Sequence, residues 1–365
     1  MKSIIMNIAI IQPVIPTYRE DFYRELQKFC KVDIYVYKNC NLVQKENTEI
    51  SSFNVKKINN IQIKGIVCYD PKPFLSKKYD ILVLMLTLNH PITALLLMTK
   101  WLHHKKIIVW GQGISVKRYL KEEKKPDLKL LWQIKRADGV WFYMEKEYNQ
   151  WKHFFPNKPM KSLNNTISSA NDITNIDTRS NKNILRKKYN IKQDRILIFC
   201  ARFESYYRRI DLLIQTIKQL DTNNYGFIII GAGKNKPDFS QYGNVYDFGA
   251  VYDRTIKNEL FTIADLYFQP GWVGLSIVEA MAYAKPICTF ARSEKTLQCV
   301  EYSYIEDGKN GFIFKNMNDC IQKITKTSIE DIHKMGENAR LLVKLKLTPE
   351  KMASNAWMVL KQVYK

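Results

Sequence analysis

The sequence predicts an α/β protein of two doubly wound, Rossmann-like domains. Short apolar runs alternate with helical patterns, and this alternation occurs twice. A polar stretch, SANDITNIDTRSNK, separates the two halves between Ser168 and Lys182. The chain has 365 residues, enough for two cores, and 46% of them are apolar. The boundaries follow as 1–170 for the first domain and 171–348 for the second. Two such domains facing each other would bring the carboxyl ends of both sheets to a central cleft, where open α/β sheets take ligands.

In the first half the expected strands are Asn7 to Gln12, Val32 to Tyr37, Gln62 to Cys68, Ile81 to Met85, Ile107 to Trp110 and Val140 to Tyr143. Helical spacing covers Tyr18 to Phe29, Ile92 to His103 and Leu128 to Ala137. Ile81 to Met98 is apolar enough to suggest a membrane span, but Asn89-His90-Pro91 interrupts it. It reads as a strand, a turn with Asn89 as cap, and a helix with Pro91 in its first turn. The opening MKSIIMNIAIIQPVIP reads as a first buried strand rather than an export signal, because Asn7 breaks the apolar run and no small-residue cleavage site follows.

The second half repeats the pattern. Strands are expected at Ile196 to Ala201, Phe227 to Ile230, Val245 to Phe248, Leu266 to Phe268, Ile287 to Phe290 and Phe312 to Phe314. Helices fall at Asp211 to Leu220, Ile256 to Ala264, Ile277 to Tyr283 and Thr348 to Val363. No period of repeats recurs.

Composition restricts the chemistry. Seven cysteines (Cys30, Cys40, Cys68, Cys200, Cys288, Cys299, Cys320) lack any Cys-x-x-Cys pair and fit reduced, mostly core thiols in the cytosol. Five histidines form no metal-ligand pattern, and neither a Walker loop nor a Gly-x-Ser-x-Gly elbow occurs. The net charge of +22 calls for a partner bearing negative charge. Between Lys117 and Arg136, lysines and arginines interleave with Tyr119, Leu120, Leu128, Leu130, Leu131 and Trp132. Such a run suits an anionic membrane surface and equally a solvated helix face; no zinc-finger or RNA-binding sequence supports nucleic acid.

The chemistry concentrates between Asp265 and Phe290. There a strand ends at Pro270-Gly271, and a helix begins after Gly274 with Ser276 placed as N-cap and Glu279 three residues on. Glycines before unpaired helix amides form a phosphate cradle, although an ordinary capped turn has the same spacing. A second candidate is ARFESYYRRIDLL, Ala201 to Leu213, which follows a strand and precedes a helix. Arginines at the end of a strand can grip a diphosphate and take up the charge that builds on a leaving group.

Together these segments resemble the retaining nucleotide-sugar glycosyltransferases of family 4, of the kind that builds capsule, lipopolysaccharide and exopolysaccharide. Gly274-Leu275, Glu279-Ala280-Met281-Ala282 and Lys285-Pro286 match the donor signature, whereas Gly271 stands where that family has its first glutamate and Ala284 where it has glycine. Arg202 matches the family arginine; Arg208 or Arg209 takes the place of its lysine, with one extra residue between. Gly231-Ala232-Gly233 resembles the Gly-x-Gly turn of the second domain, and Phe248 to Val251 the strand exit that meets the nucleobase. Trp110-Gly111-Gln112-Gly113 resembles a turn of the first domain, with Gln112 in place of histidine; glutamine can position a group but cannot transfer a proton. Met335-Gly336, Ala339-Arg340 and the closing helix resemble the C-terminal segment that returns to the first domain, here 349–365.

The resemblance implies the GT-B architecture and transfer of a sugar, with retention and without a metal, from a nucleotide-diphosphate donor to a hydroxyl of a glycan or lipid-linked acceptor. Arg202, Arg208 and Glu279 would be catalytic. Gly271, Gly274, Leu275, Ser276, Val251, Gly233 and Gln112 would bind substrate. The nucleotide sugar is then a co-substrate and no cofactor is expected. The expected location is the cytoplasm, at the inner face of the membrane. A related nucleotide-sugar enzyme such as an epimerase, or a non-catalytic basic protein that binds nucleotide or nucleic acid, is the alternative.

Overall fold

The computed structural model describes residues 6–37, 54–178 and 180–365; Cys40 and the first five residues of the opening apolar run lie outside them. The chain forms two compact units, Met1–Ser168 with Pro349–Lys365, and Ser169–Thr348.

The first unit contains β1 (Asn7–Gln12), β2 (Lys31–Val36), β3 (Asn54–Lys57), β4 (Asn60–Ile63), β5 (Ile66–Tyr69), β6 (Ile81–Met85), β7 (Lys106–Gly111), β8 (Gly139–Phe142) and β9 (Met160–Ser162). Seven of these make a parallel sheet in the order β3-β2-β1-β6-β7-β8-β9. Residues 8–11 of β1 are all buried, because helices cover both faces. Ile8 and Ile10 join Phe22, Leu26 and, from the closing helix Pro349–Tyr364, Met352 and Leu360. Ala9 and Ile11 face the other way, into a cluster with Leu96, Leu97, Leu130 and Ile134.

The second unit contains β10 (Arg195–Cys200), β11 (Tyr225–Ile230), β12 (Val245–Asp247), β13 (Leu266–Phe268), β14 (Ile287–Phe290) and β15 (Gly311–Phe314). They form a parallel sheet in the order β12-β11-β10-β13-β14-β15. Each sheet is therefore doubly wound and reverses its winding at one point, between β1 and β6 in the first and between β10 and β13 in the second.

Four local expectations are corrected. The single strand expected at Gln62 to Cys68 is the antiparallel hairpin β4–β5, because Lys64 and Gly65 both take positive φ (47° and 84°) and turn the chain. The polar interval after Ser168 is not a bare linker: it carries the helix Ala170–Thr174, whose Ala170, Ile173 and Thr174 are buried against helices Ser276–Ala282 and Ile329–Lys346. The helix Pro91–Met98 is preceded by His90 rather than Asn89 as the cap residue, and no side chain caps it. In the basic stretch from Lys117 to Arg136, Tyr119 and Leu130 turn inward and are buried.

Candidate functional site: two loops at the winding reversal of the second sheet

At the reversal between β10 and β13, two loops leave adjacent parallel strands from their carboxyl ends: residues 201–209 after β10 and residues 269–275 after β13. The second loop is built around Gln269, which is fully buried. Its Nε2 donates to the carbonyls of Trp272 (2.8 Å) and Gly271 (3.3 Å). Its Oε1 accepts from the Tyr267 hydroxyl (2.7 Å) and the Ser276 Oγ (2.9 Å). With its polar atoms so used, Gln269 fixes the turn and allows Trp272 to sit at φ +53°, a region costly for a bulky residue. From the far side Gln298 accepts from the Val273 amide (2.9 Å) and donates to the Phe290 carbonyl (2.8 Å).

The first loop leans on this turn. The Tyr207 ring stacks on Trp272 at 4.7 Å between centroids, and Arg208 Nη1 donates to the Trp272 carbonyl (2.8 Å). A Cβ on Gly271 would lie 2.5 Å from the Tyr207 carbonyl and 2.9 Å from Arg209 Cγ. The glycine is demanded by the approach of the two loops, and a glutamate would not fit there without moving them.

Arg208 and Arg209 differ in their partners. Arg209 is tied to Asp211 (2.7 and 2.9 Å) and to Thr296 Oγ1 (2.5 Å). Arg208 makes no ion pair among the described residues, and neither does the exposed Arg202. Burial lowers the Arg208 pKa below the ordinary arginine value, and the positive charge of Arg202 presses in the same direction. Two guanidinium groups thus lie near the end of β10, and neither is ion-paired to a carboxylate among the described residues.

Ser276 is not an N-cap. It is the first residue of the helix Ser276–Ala282, Leu275 holds the cap position without a side-chain bond, and the Ser276 hydroxyl is directed to Gln269. Glu279 consequently closes no capping box. It forms an ion pair with Lys257 of the helix Arg254–Ile263, with both carboxylate oxygens within 2.8 Å of Nζ. Burial works against the charged Lys257, yet its neighbours, Glu279 foremost, hold the ammonium above the usual lysine value. Burial pushes the Cys200 thiol up to about 12, and its charged neighbours are Lys257, Glu279 and Arg208, which places all three around the end of β10. The amides of Gly274, Leu275 and Ser276 have no hydrogen-bond partner among the described residues, and a Cβ on Gly274 would meet nothing nearer than Cys299 Sγ at 3.8 Å.

The remaining expected residues lie farther out. Gly233 has φ +148°, and its Cβ would run into the Phe203 backbone at 2.6 to 2.9 Å. Its glycine serves the packing of the β11 loop on the β10 loop. Val251 lies half-buried beyond β12. Gln112 belongs to the first unit, half-exposed after β7, and Gly113 beside it accepts from Trp151 Nε1 (2.9 Å). Sequence reasoning missed Lys257, Gln269, Trp272 and Tyr207. Of these, only Lys257 left a signal, since it shares a helix face with Leu260 and Phe261. Among the described residues no group of three or more His, Cys, Asp or Glu side chains is placed to hold a metal ion.

Residues 181–342 match the family Glycosyl transferases group 1. The chain carries a glycosyltransferase domain. No curated protein matches it at a significant level. Among solved structures it is similar to Anabaena HepE in complex with UDP and glucose (TM-score 0.64, 13% identity, covering 98% of this chain and 99% of that one). It also resembles a glycosyltransferase from Rickettsia africae (TM-score 0.66, 15% identity, 99% of each chain). A third is the lipopolysaccharide outer core galactosyltransferase WaaB (TM-score 0.63, 12% identity, 98% of this chain and 99% of that one). At these identities the likeness establishes the GT-B fold over nearly the whole length, and the matched glycosyltransferase segment lies within the second unit.

Proposed function

We propose that this glycosyltransferase moves a sugar, with retention, from a nucleoside-diphosphate donor to a hydroxyl of a glycan or lipid-linked acceptor in surface polysaccharide synthesis. The observation that carries the reading is the pair Arg202 and Arg208 at the winding reversal of the second sheet, neither of which forms an ion pair among the described residues. Two guanidinium groups there have a purpose if a diphosphate lies between them. As the bond from the sugar to the diphosphate breaks, charge grows on the departing phosphate oxygen, and both guanidinium groups are already in place to receive it. The free amides of Gly274, Leu275 and Ser276 lie beside them to donate hydrogen bonds to phosphate or sugar oxygens. Glu279, ion-paired with Lys257, accepts hydrogen bonds from ribose hydroxyls. Arginines supply the charge that a divalent ion would otherwise supply, so transfer should persist in EDTA. Similarity to WaaB supports the surface-polysaccharide setting, and similarity to HepE makes UDP the first nucleotide to try. The high net charge supports peripheral contact with an anionic membrane.

The test is a thermal-shift series with UDP, GDP, CMP and their sugar conjugates. A bound diphosphate at 100 times its Kd should add about 2.7 kcal/mol of stability. The shift should disappear in Arg202→Ala and Arg208→Ala. A chain indifferent to every nucleotide would refute the donor site.

A further inference from the structure

The helix Pro91–Met98 lies on the first sheet, with Thr93, Leu96 and Leu97 buried beneath it. A helix in that position ordinarily turns polar residues outward. This one does not. Leu95 and Met98 are 42% and 49% exposed, and the next turn, in the helix Lys100–His103, adds Trp101 at 71% and Leu102 at 59%. The neighbouring helix Leu128–Arg136 packs beside Pro91–Met98 and is tied to Lys100, whose Nζ donates to the Arg136 carbonyl (3.3 Å) and to Asp138 (2.7 Å). It contributes the half-exposed Trp132, with the Arg136 guanidinium 5.5 Å above its ring, and the exposed Lys135. His104 and Lys106 are exposed at the other border. No Asp or Glu occurs from Pro91 to Lys106 or from Leu128 to Ala137.

We propose that this face of the first unit, with Trp101 and Leu102 as its apolar tip and Lys106, Lys135 and Arg136 as its charged border, docks on an anionic phospholipid bilayer. It gives named residues to the membrane contact put forward above and rests on that reading for its role, but it does not depend on the donor site. The charge selects the occupant. Two copies meeting through this face would bring like charges together, whereas anionic headgroups neutralise the border while the indole and leucine enter the interface. The face shares Trp132, Lys135 and Arg136 with the basic run at Lys117 to Arg136 that the sequence singles out, and leaves aside that run's earlier part, which lies in the short helix Tyr119–Glu122 and the loop after it.

The experiment is co-sedimentation of the full chain with vesicles of phosphatidylglycerol and phosphatidylcholine, and with phosphatidylcholine alone. The UDP thermal shift is followed on the same samples, so loss of docking and loss of the donor site are read separately. Binding to the anionic vesicles is expected, weakening in high salt and absent on the neutral ones. Trp101→Ser with Leu102→Ser should weaken it tenfold or more on the order expected for removing two interfacial side chains. Lys135→Ala with Arg136→Ala should cost about fivefold per charge, and Lys124→Ala with Lys125→Ala distinctly less. Circular dichroism and the UDP response should be unchanged in all of them. Anionic-vesicle binding that survives both face variants would overturn the proposal, as would no binding at all. A dimer in sedimentation velocity that the Trp101 and Leu102 variant dissolves would assign the face to a second copy instead.

Discussion

Replacing Gly271 by alanine tests the joint between the two donor-side loops. The new Cβ would stand 2.5 Å from the Tyr207 carbonyl and 2.9 Å from Arg209 Cγ, whereas ordinary contact begins at 3.4 Å, so the loops must part by roughly 0.9 Å. Neither neighbour yields easily. Tyr207 is stacked on Trp272, and Arg209 is fixed by Asp211 and Thr296. Overpacking of this kind costs about 1 to 3 kcal/mol, offset by about 0.4 to 1 kcal/mol from the stiffer unfolded chain, which leaves about 1 to 2 kcal/mol of net destabilisation. For a domain of this size that is a fall in Tm of about 2 to 8 °C, measurable by calorimetry. The same displacement stretches the 2.8 Å bond from Arg208 to the Trp272 carbonyl and should weaken the UDP response. Gly274→Ala is the contrast: its Cβ has no neighbour within 3.8 Å, so stability should hold, and a lost UDP response there would report contact with ligand alone. Gly271→Glu should be worse than Gly271→Ala and should not improve transfer. A Gly271→Ala protein that melts like the parent and keeps its UDP shift would refute the packing account.

Three further outcomes are expected. Arg208→Ala should abolish the UDP shift with little loss of stability, whereas Arg209→Ala should lower Tm, because it deletes the bonds to Asp211 and Thr296, and leave nucleotide affinity nearly intact; melts with and without UDP distinguish them. His90 is buried beside the Tyr37 hydroxyl (3.0 Å), and burial holds its pKa down at about 4. The unfolded chain therefore takes up the proton first, and stability is lost as pH falls from about 6.5 towards 4, by at most about 3 kcal/mol; His90→Gln should flatten denaturant midpoints over that window. Ala284 closes the helix Ser276–Ala282 at φ +57°, with Lys285 N–H donating to the Ala280 carbonyl and Ala284 N–H to that of Met281, a left-handed position that glycine occupies without strain. Ala284→Gly should raise stability by about 0.5 to 1 kcal/mol in urea titrations, since the strain relieved exceeds the entropy added to the unfolded chain.

What the sequence discloses depends on how local its cause is. Ile81–Met85, Leu266–Phe268 and Ile287–Phe290 are read to the residue, because strands covered on both faces are unbroken apolar runs between turn formers. Asn54–Lys57 escapes notice because, at the edge of its sheet, NVKK has little to bury. The hairpin at Asn60–Tyr69 escapes because Lys64, an unusual residue for a left-handed turn, hides it. The site divides in the same way. Arg202, Gly274 and Glu279 follow strands whose order places them, and the turn chemistry around them is legible. The bond from Arg208 to Trp272 spans 64 residues, the contact between Glu279 and Lys257 spans 22, and no periodicity relates such partners. Gln269 is the clearest case: a neutral amide in a loop carries no pattern, yet its four hydrogen bonds set the turn against which Arg208 is aimed. The absence of a glutamate at position 271 reads in sequence as a missing ligand group. In three dimensions it is the condition that lets the Tyr207 carbonyl close on the turn and Arg208 reach the Trp272 carbonyl, so the departure from the family pattern belongs to the architecture that aims the arginine.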